Sequence, residues 1–272
     1  MSAAPGRSQA SSRRSPQGEG TPVSSAVTLR QALEAGLRDL ELSLSAPQID
    51  QLLAYQGLIA KWNKVYNLTA VRDPQDMLTH HLLDSLAAIG PLLRQTGGPG
   101  FAAGPPQGET APSGGSDPRS GGAWGPHFRL LDVGSGGGLP GVVIAIACPQ
   151  IQVHCVDTVL KKATFIQQVA ASLKLPNLRG IHARVESLKA EQGGGYDVVC
   201  SRAFASLVDF TTWSRPALKP GAVWMAMKGK HPADELVALP PDVSVFHVEQ
   251  LTVPGLEAER CMVWLRPGPG VY

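Results

Sequence analysis

No stretch of this 272-residue chain holds an uninterrupted apolar run near the roughly 20 residues that span a bilayer, which excludes a transmembrane helix. A compact apolar segment behind the N-terminus is missing too, so a cytoplasmic protein with no membrane partner is expected. Excess charge is also absent. The formal net charge is +2, and residues 1–28 account for it, with Arg7, Arg13 and Arg14 against Glu19 alone; the rest of the chain carries 21 basic and 21 acidic residues. Any nucleic-acid footprint must therefore come from local clustering rather than bulk charge. Cysteine is scarce. Cys148, Cys155, Cys200 and Cys261 lie in apolar surroundings with no Cys-x-x-Cys pair, so disulfides and a zinc site are not expected and all four read as reduced core residues.

What is present is an ordinary globular chain, 43% hydrophobic, with core enough for one large or two modest domains. Its centre is FRLLDVGSGGGLPG, residues 128–141. The apolar Leu130, Leu131 and Val133 predict a buried strand that breaks into Gly134, Gly136, Gly138 and Gly141 before the helix-like run 142–147. Glycines so spaced permit positive φ and let a ligand approach the main chain, where N–H groups at the helix start bind acceptors. Asp132, immediately before the loop, would repel a dinucleotide pyrophosphate but could pair with the ammonium of a ligand that carries an amino acid. S-adenosylmethionine is thus favoured over NAD. A second apolar run, 153–156, ends at Asp157, placed to accept both ribose hydroxyl protons; either cofactor has that need.

Around this centre the chain divides by composition. Residues 1–27, rich in Ser, Arg, Gly, Pro and Ala, read as a disordered tail. Residues 28–96 read as a helical unit: Thr28 with Gln31 suggests a capping box for a first helix, Ser45 with Gln48 and Pro47 starts a second, and Asp73 with Pro74 a third. Between the last two lies the polar connector 67–72. On the third, His80, His81, Asp84 and Ser85 place a histidine and a carboxylate on one face, read as packing through a His–Asp hydrogen bond rather than as catalysis. Residues 97–127 hold so much Gly, Pro and Ser that they read as an insertion. From 128 to 272 strands are expected near 128–133, 151–157, 178–183, 196–201, 221–228, 243–248 and 260–266, with helices at about 140–147, 160–174 and 206–217. This predicts an α/β fold, a parallel sheet of seven strands finished by a reversed strand: the Rossmann-like class I S-adenosylmethionine-dependent methyltransferase architecture with an N-terminal helical extension.

Taken together, NKVYNLTAVRD, HHLLDSL, LLDVGSGGGLPG, HARVESL, DVVCSRAFASL and MKGK resemble the bacterial small-subunit rRNA guanine-N7 methyltransferases of the glucose-inhibited division protein B family, from about Leu52 to Leu265. The resemblance implies transfer of the methyl of S-adenosylmethionine to N7 of one guanine in the decoding-region loop of 16S rRNA. It implies cofactor contacts at Gly134, Leu139, Val185, Glu186 and Arg202, to which the residues themselves add Asp132, Gly136 and Asp157. The tail and the insertion have no clear family counterpart, and Ser135 and Gly137 stand where the family often has Thr and Pro.

The chemistry agrees with this implication. Val185 and Glu186 follow the third strand, where an amide, an apolar side chain and a carboxylate can hold an adenine. N7 of guanine carries a lone pair and loses no proton on alkylation, so no general base is required and alignment supplies the catalysis. Arg202 and Lys228 are the candidates for positioning the substrate; Arg184 and Lys230, with Arg72 and Lys162, are further RNA-side candidates. The partner expected is 16S rRNA or the small ribosomal subunit, and a monomer is the default. Three other readings compete: a same-fold methyltransferase for another RNA, a protein or a small molecule; an NAD-dependent oxidoreductase, opposed by Asp132; and a non-catalytic RNA-binding factor, opposed by the intact loop, Asp157 and Arg202.

Overall fold

The computed structural model describes residues 22–98, 124–125, 127–202 and 204–268. Residues 1–21 of the expected tail and 99–123 of the expected insertion lie outside the described residues. Helix α1 (Pro22–Asp39) begins before Thr28, which therefore sits inside the helix and does not cap it. Helix α2 (Ala46–Tyr66) starts at Ser45, where Gln48 closes the capping box, and stops at Asn67, a residue in the left-handed region. Asp73 caps α3 (Pro74–Met77) by accepting from the amides of Gln75 and Asp76. That helix continues through a π-helical turn, Leu78–Leu83, into α4 (Asp84–Leu86), and α5 (Ile89–Thr96) follows.

The sheet contains β1 (Arg129–Val133), β2 (Gln152–Asp157), β3 (Leu178–His182), β4 (Tyr196–Arg202), β5 (Leu218–Lys228), β6 (Val243–Gln250) and β7 (Cys261–Pro267). Its order is β3-β2-β1-β4-β5-β7-β6. All pairs from β3 to β5 are parallel, and β7 runs antiparallel to both β5 and β6. The reversed strand is therefore the last in sequence but lies one place inside the edge. Helices α6 (Gly141–Ala147), α7 (Leu160–Ser172), α8 (Ala190–Gly193), α9 (Leu207–Ser214) and α10 (Ala233–Val237) fill the connections. Of these, α8 and α10 are too short to leave a periodic signal.

Parallel strands are buried on both faces, and their side chains alternate between two cores. Leu130, Val153, Cys155, Val198, Cys200, Met225 and Trp264 face one side, where they share a continuous core with α1, α2, α5, α6 and α7. Leu131, Val133, Val156, Val199, Trp224 and Val263 face the other, against Leu207 and Phe210 of α9. The four cysteines are free and buried, as their apolar surroundings predict. The N-terminal helices thus pack directly on the sheet, and α2 is fastened by Gln48 to the Ile146 carbonyl and by Gln51 to the Leu173 carbonyl.

Candidate active site

The glycine loop leaves β1 at Gly134, whose amide and that of Ser135 donate to the Val156 carbonyl of β2 at 2.9 and 3.3 Å. Gly134 has φ of +64°, and a Cβ there would lie 2.7 Å from the Phe204 ring; Gly138 has φ of +90°, and a Cβ there would lie 2.4 Å from Val142. Neither position accepts a side chain without strain. The loop is also held from the N-terminal helices: Tyr55 on α2 donates its hydroxyl to the Gly137 carbonyl at 2.5 Å. Nothing in the sequence singled out Tyr55.

Two cavities adjoin at Gly134. One, of about 330 Å³, runs along the ends of β2 and β3 and is lined by Asp157, Val159, Lys162, Val185, Glu186, Phe204 and Trp213 among others. The other, of about 220 Å³, is lined by Ile59, Leu68, Thr69, His81, Gly134 to Gly137, Leu139 and Arg202. The structure thus gathers Gly134, Gly136, Leu139, Asp157, Val185, Glu186 and Arg202 around one continuous depression. Asp157 is buried, and its carboxylate accepts from the amides of Gly136 and Val159 at 3.1 and 2.9 Å, which ties the loop to the end of β2.

Several side chains stand elsewhere than expected. Asp132 does not face either cavity: it is fully buried behind the loop, where its Oδ2 accepts from the Gly141 amide at 2.9 Å and its Oδ1 has no partner. Burial pushes its pKa up to about 7. Lys228 lines neither cavity either, because Glu235 of α10 holds its ammonium at 2.8 and 3.0 Å. Lys162 lies 3.5 Å from Asp157 and lines the larger cavity. Arg184 pairs with Glu186 at 3.1 Å and is exposed; Arg72 donates to Asn67 at 3.3 Å; Lys230 is exposed in the bend after β5.

The expected His–Asp hydrogen bond on the HHLLDSL helix is also replaced. Asp84, 2% exposed, takes two arginines instead: Arg202 Nη1 at 2.7 Å on Oδ2 and Arg260 Nε at 2.7 Å on Oδ1. Two guanidinium groups give a carboxylate this deeply buried charge-assisted hydrogen bonds on both oxygens, which one imidazole cannot match. Arg260, 176 residues away and just before β7, had no signal in the sequence. His81 turns the other way, and its Nε2 meets Thr69 Oγ1 at 2.9 Å. That hydroxyl also accepts from the Val71 amide at 3.1 Å. Burial lowers the histidine's pKa and keeps it neutral, and Nδ1 has no partner. The buried hydroxyl of Ser135, in the same cavity, has none either.

The smaller cavity therefore sets the buried polar side chains of His81 and Ser135 beside the Arg202 guanidinium. Buried polar groups without partners are rare, and together these three fit the carboxylate end of an amino-acid ligand. The larger cavity, with an aromatic wall and two carboxylates, fits a nucleoside.

Comparison with known proteins bears on the same residues. The family model for rRNA small subunit methyltransferase G matches residues 48–96 and 124–263, passing over the stretch between. The protein named ribosomal RNA small subunit methyltransferase G from Acidovorax ebreus (strain TPSY) is 61% identical over 245 residues, 90% of this chain and 98% of its own. Its namesake from Polaromonas naphthalenivorans (strain CJ2) is 60% identical over 239 residues, 88% of this chain and 96% of its own. Both matched stretches carry site residues, His81 and Asp84 in the first and the glycine loop, Asp157 and Arg202 in the second. The chain belongs to the rRNA small subunit methyltransferase G family and is a methyltransferase of the class I fold.

Proposed function

We propose that this enzyme transfers the methyl group of S-adenosylmethionine to N7 of a guanine in the decoding-region loop of 16S rRNA, acting as a monomer on the small ribosomal subunit. The observation that carries the reading is the pair of adjoining cavities at Gly134, one suited to a nucleoside and the other to an amino acid. Asp157 would hold the ribose hydroxyls, with Val185 and Glu186 at the adenine. Ser135, His81, Arg202 and the amides of the loop would hold the methionyl end. The bound cofactor supplies an electrophilic methyl on a sulfonium.

The chain's own part is alignment. Among the described residues neither cavity holds a free carboxylate and histidine in contact as an acid–base pair, and N7 needs none, since its lone pair is available at neutral pH. Arg202 sits between the glycine loop and the N-terminal helices with one Nη spent on Asp84 and the His80 carbonyl, leaving the rest of its fork to face the cavity. Family membership supports the rRNA substrate, and the resemblance in the SRAFASL and HLLDS segments supports the guanine.

The test is a methylation assay with labelled S-adenosylmethionine on small subunits from a strain lacking this gene, with the modified base mapped by borohydride and aniline cleavage. A single N7-methylguanine in the decoding-region loop, lost in Gly134→Asp and Arg202→Ala, is the expected result. Cofactor binding without label in rRNA would leave the fold standing and remove the substrate.

A further inference from the structure

Helices α2 and α7 pack antiparallel. Gln51, early in α2, reaches the Leu173 carbonyl beyond the end of α7, and Trp62, late in α2, packs on Phe165 near the start of α7 with ring centroids 5.2 Å apart. The end of α2 and the start of α7 thus form one corner, and it lies at the cavity mouths: Leu68 and Thr69, just after α2, line the smaller cavity, while Val159 and Lys162 line the larger.

That corner departs from the rest of the molecule in two ways. Residues 51–72 and 158–174 contain no Asp or Glu, although basic and acidic residues balance over residues 29–272, and at the corner end they supply Lys61, Lys64, Arg72 and Lys161, all exposed. Among the described residues Lys61, Lys64 and Lys161 form no ion pair. Interleaved with them are Val65, Tyr66 and Leu160, 71%, 39% and 60% exposed, three of the few large apolar side chains that the described surface leaves in water. Tyr66 leans on Trp62 at 5.0 Å, so its ring is braced from behind.

Unpaired cations around a braced aromatic ring are the chemistry that holds single-stranded nucleic acid, with ammonium groups on phosphates and a ring face under an unstacked base. Resting on the functional reading above, we propose that the α2–α7 corner, with Lys61, Lys64, Lys161 and Tyr66 as its contacts, is the docking surface that holds rRNA against the cavity mouths. Lys162, committed to Asp157, is not part of it. The surface supplies the local clustering that the balanced charge of residues 29–272 requires.

The test compares KM for small subunits, taken from a strain lacking the enzyme, across a salt series for the full chain and three variants. In Lys61→Gln/Lys64→Gln/Lys161→Gln, KM is expected to rise about tenfold or more with kcat and S-adenosylmethionine affinity unchanged. The slope of log KM against log salt should become shallower by about 2, since each lost phosphate contact removes about 0.7–0.9. Tyr66→Ala should raise KM without altering the slope. Arg38→Ala/Lys174→Gln, which removes charge at the opposite end of the two helices, should change neither. An unchanged KM and slope in the lysine variant overturns the proposal, as does an equal loss in the Arg38/Lys174 variant. Absence of any subunit methylation by the unmutated chain would remove the functional reading itself, a result distinct from either.

Discussion

Arg202 Nη1 lies 2.7 Å from Asp84 Oδ2, and with its bond to the His80 carbonyl this contact joins the end of β4 to the helix that carries HHLLDSL. Arg260 takes the other oxygen, so one buried carboxylate near the N-terminal side of the fold fixes two cations from the C-terminal part of the chain. Removing it leaves two guanidinium groups close together with no counter-charge, a loss of about 3 kcal/mol for a pair this deeply placed. Asp84→Ala should lower Tm by on the order of 10 °C, and Asp84→Asn by less. In either variant that folds, Arg202 is no longer held at the cavity and S-adenosylmethionine affinity should fall about tenfold, about 1.4 kcal/mol. Calorimetric titration showing normal affinity in a folded Asp84→Asn protein would disconnect Asp84 from the site.

Gly134 is shared by both cavities, and its φ of +64° and its distance from Phe204 act together. An alanine there costs about 1–2 kcal/mol in backbone strain, and its methyl also displaces the Phe204 ring, which lines the larger cavity. Gly134→Ala should therefore lose cofactor affinity by more than its drop in Tm accounts for. Gly137→Ala is the control, because a Cβ at Gly137 meets nothing within 4 Å and its φ is not positive. Equal effects from the two substitutions would contradict the geometry.

Much of this was legible before the structure. Strand ends followed from apolar runs that stop at Asp157 or at Gly134, because a parallel strand buried on both faces cannot continue into polar residues. The N-terminal helices followed from Ser45 and Asp73, whose caps are local chemistry. What was not legible is the pairing of side chains across long separations. Asp84 could not be assigned to Arg202 and Arg260 from sequence, since helix spacing displayed only its neighbours His80 and His81. Asp132 was not legible for a related reason: its place before a glycine loop suggested a ligand contact, and strand alternation turns it inward beneath Gly141. Lys228 likewise lies at the expected strand end, yet the short α10, which leaves no periodic signal, brings Glu235 to neutralise it.

His81 offers a test in which two conservative substitutions separate two roles. The amide of asparagine falls near the place of Nδ1 and that of glutamine near Nε2, so His81→Asn retains a polar group toward the cavity and His81→Gln retains the contact to Thr69. If the unpartnered Nδ1 serves the ligand, His81→Gln should bind S-adenosylmethionine about tenfold more weakly with near-normal stability, the size of one hydrogen bond to a charged group. His81→Asn should bind more nearly normally while losing about 1 kcal/mol of stability with the Thr69 bond. The reverse order in titration calorimetry would assign the histidine to packing alone.

Asp132 makes stability depend on pH with a definite sign. Its carboxyl has an ordinary value of 3.8 and is raised to about 7 in the fold, chiefly by burial and against the opposing Gly141 hydrogen bond. Between those values the folded chain binds a proton that the unfolded chain has released, so this group's stabilising share is complete below about 4 and is lost as pH rises to about 7. Asparagine cannot titrate. The stability of Asp132→Asn relative to the unmutated protein should therefore increase by about 1.4 kcal/mol per pH unit through this window and level off above it, up to about 4 kcal/mol in all. Taking the difference cancels the opposite contribution of His154, which burial lowers to about 4 and which favours the fold as pH rises. Urea melts at half-unit steps from pH 4 to 8 measure the difference directly. A flat line would mean that the carboxylate is as well solvated in the fold as outside it, through water or the nearby Arg202, and that Asp132 is open to a ligand ammonium after all.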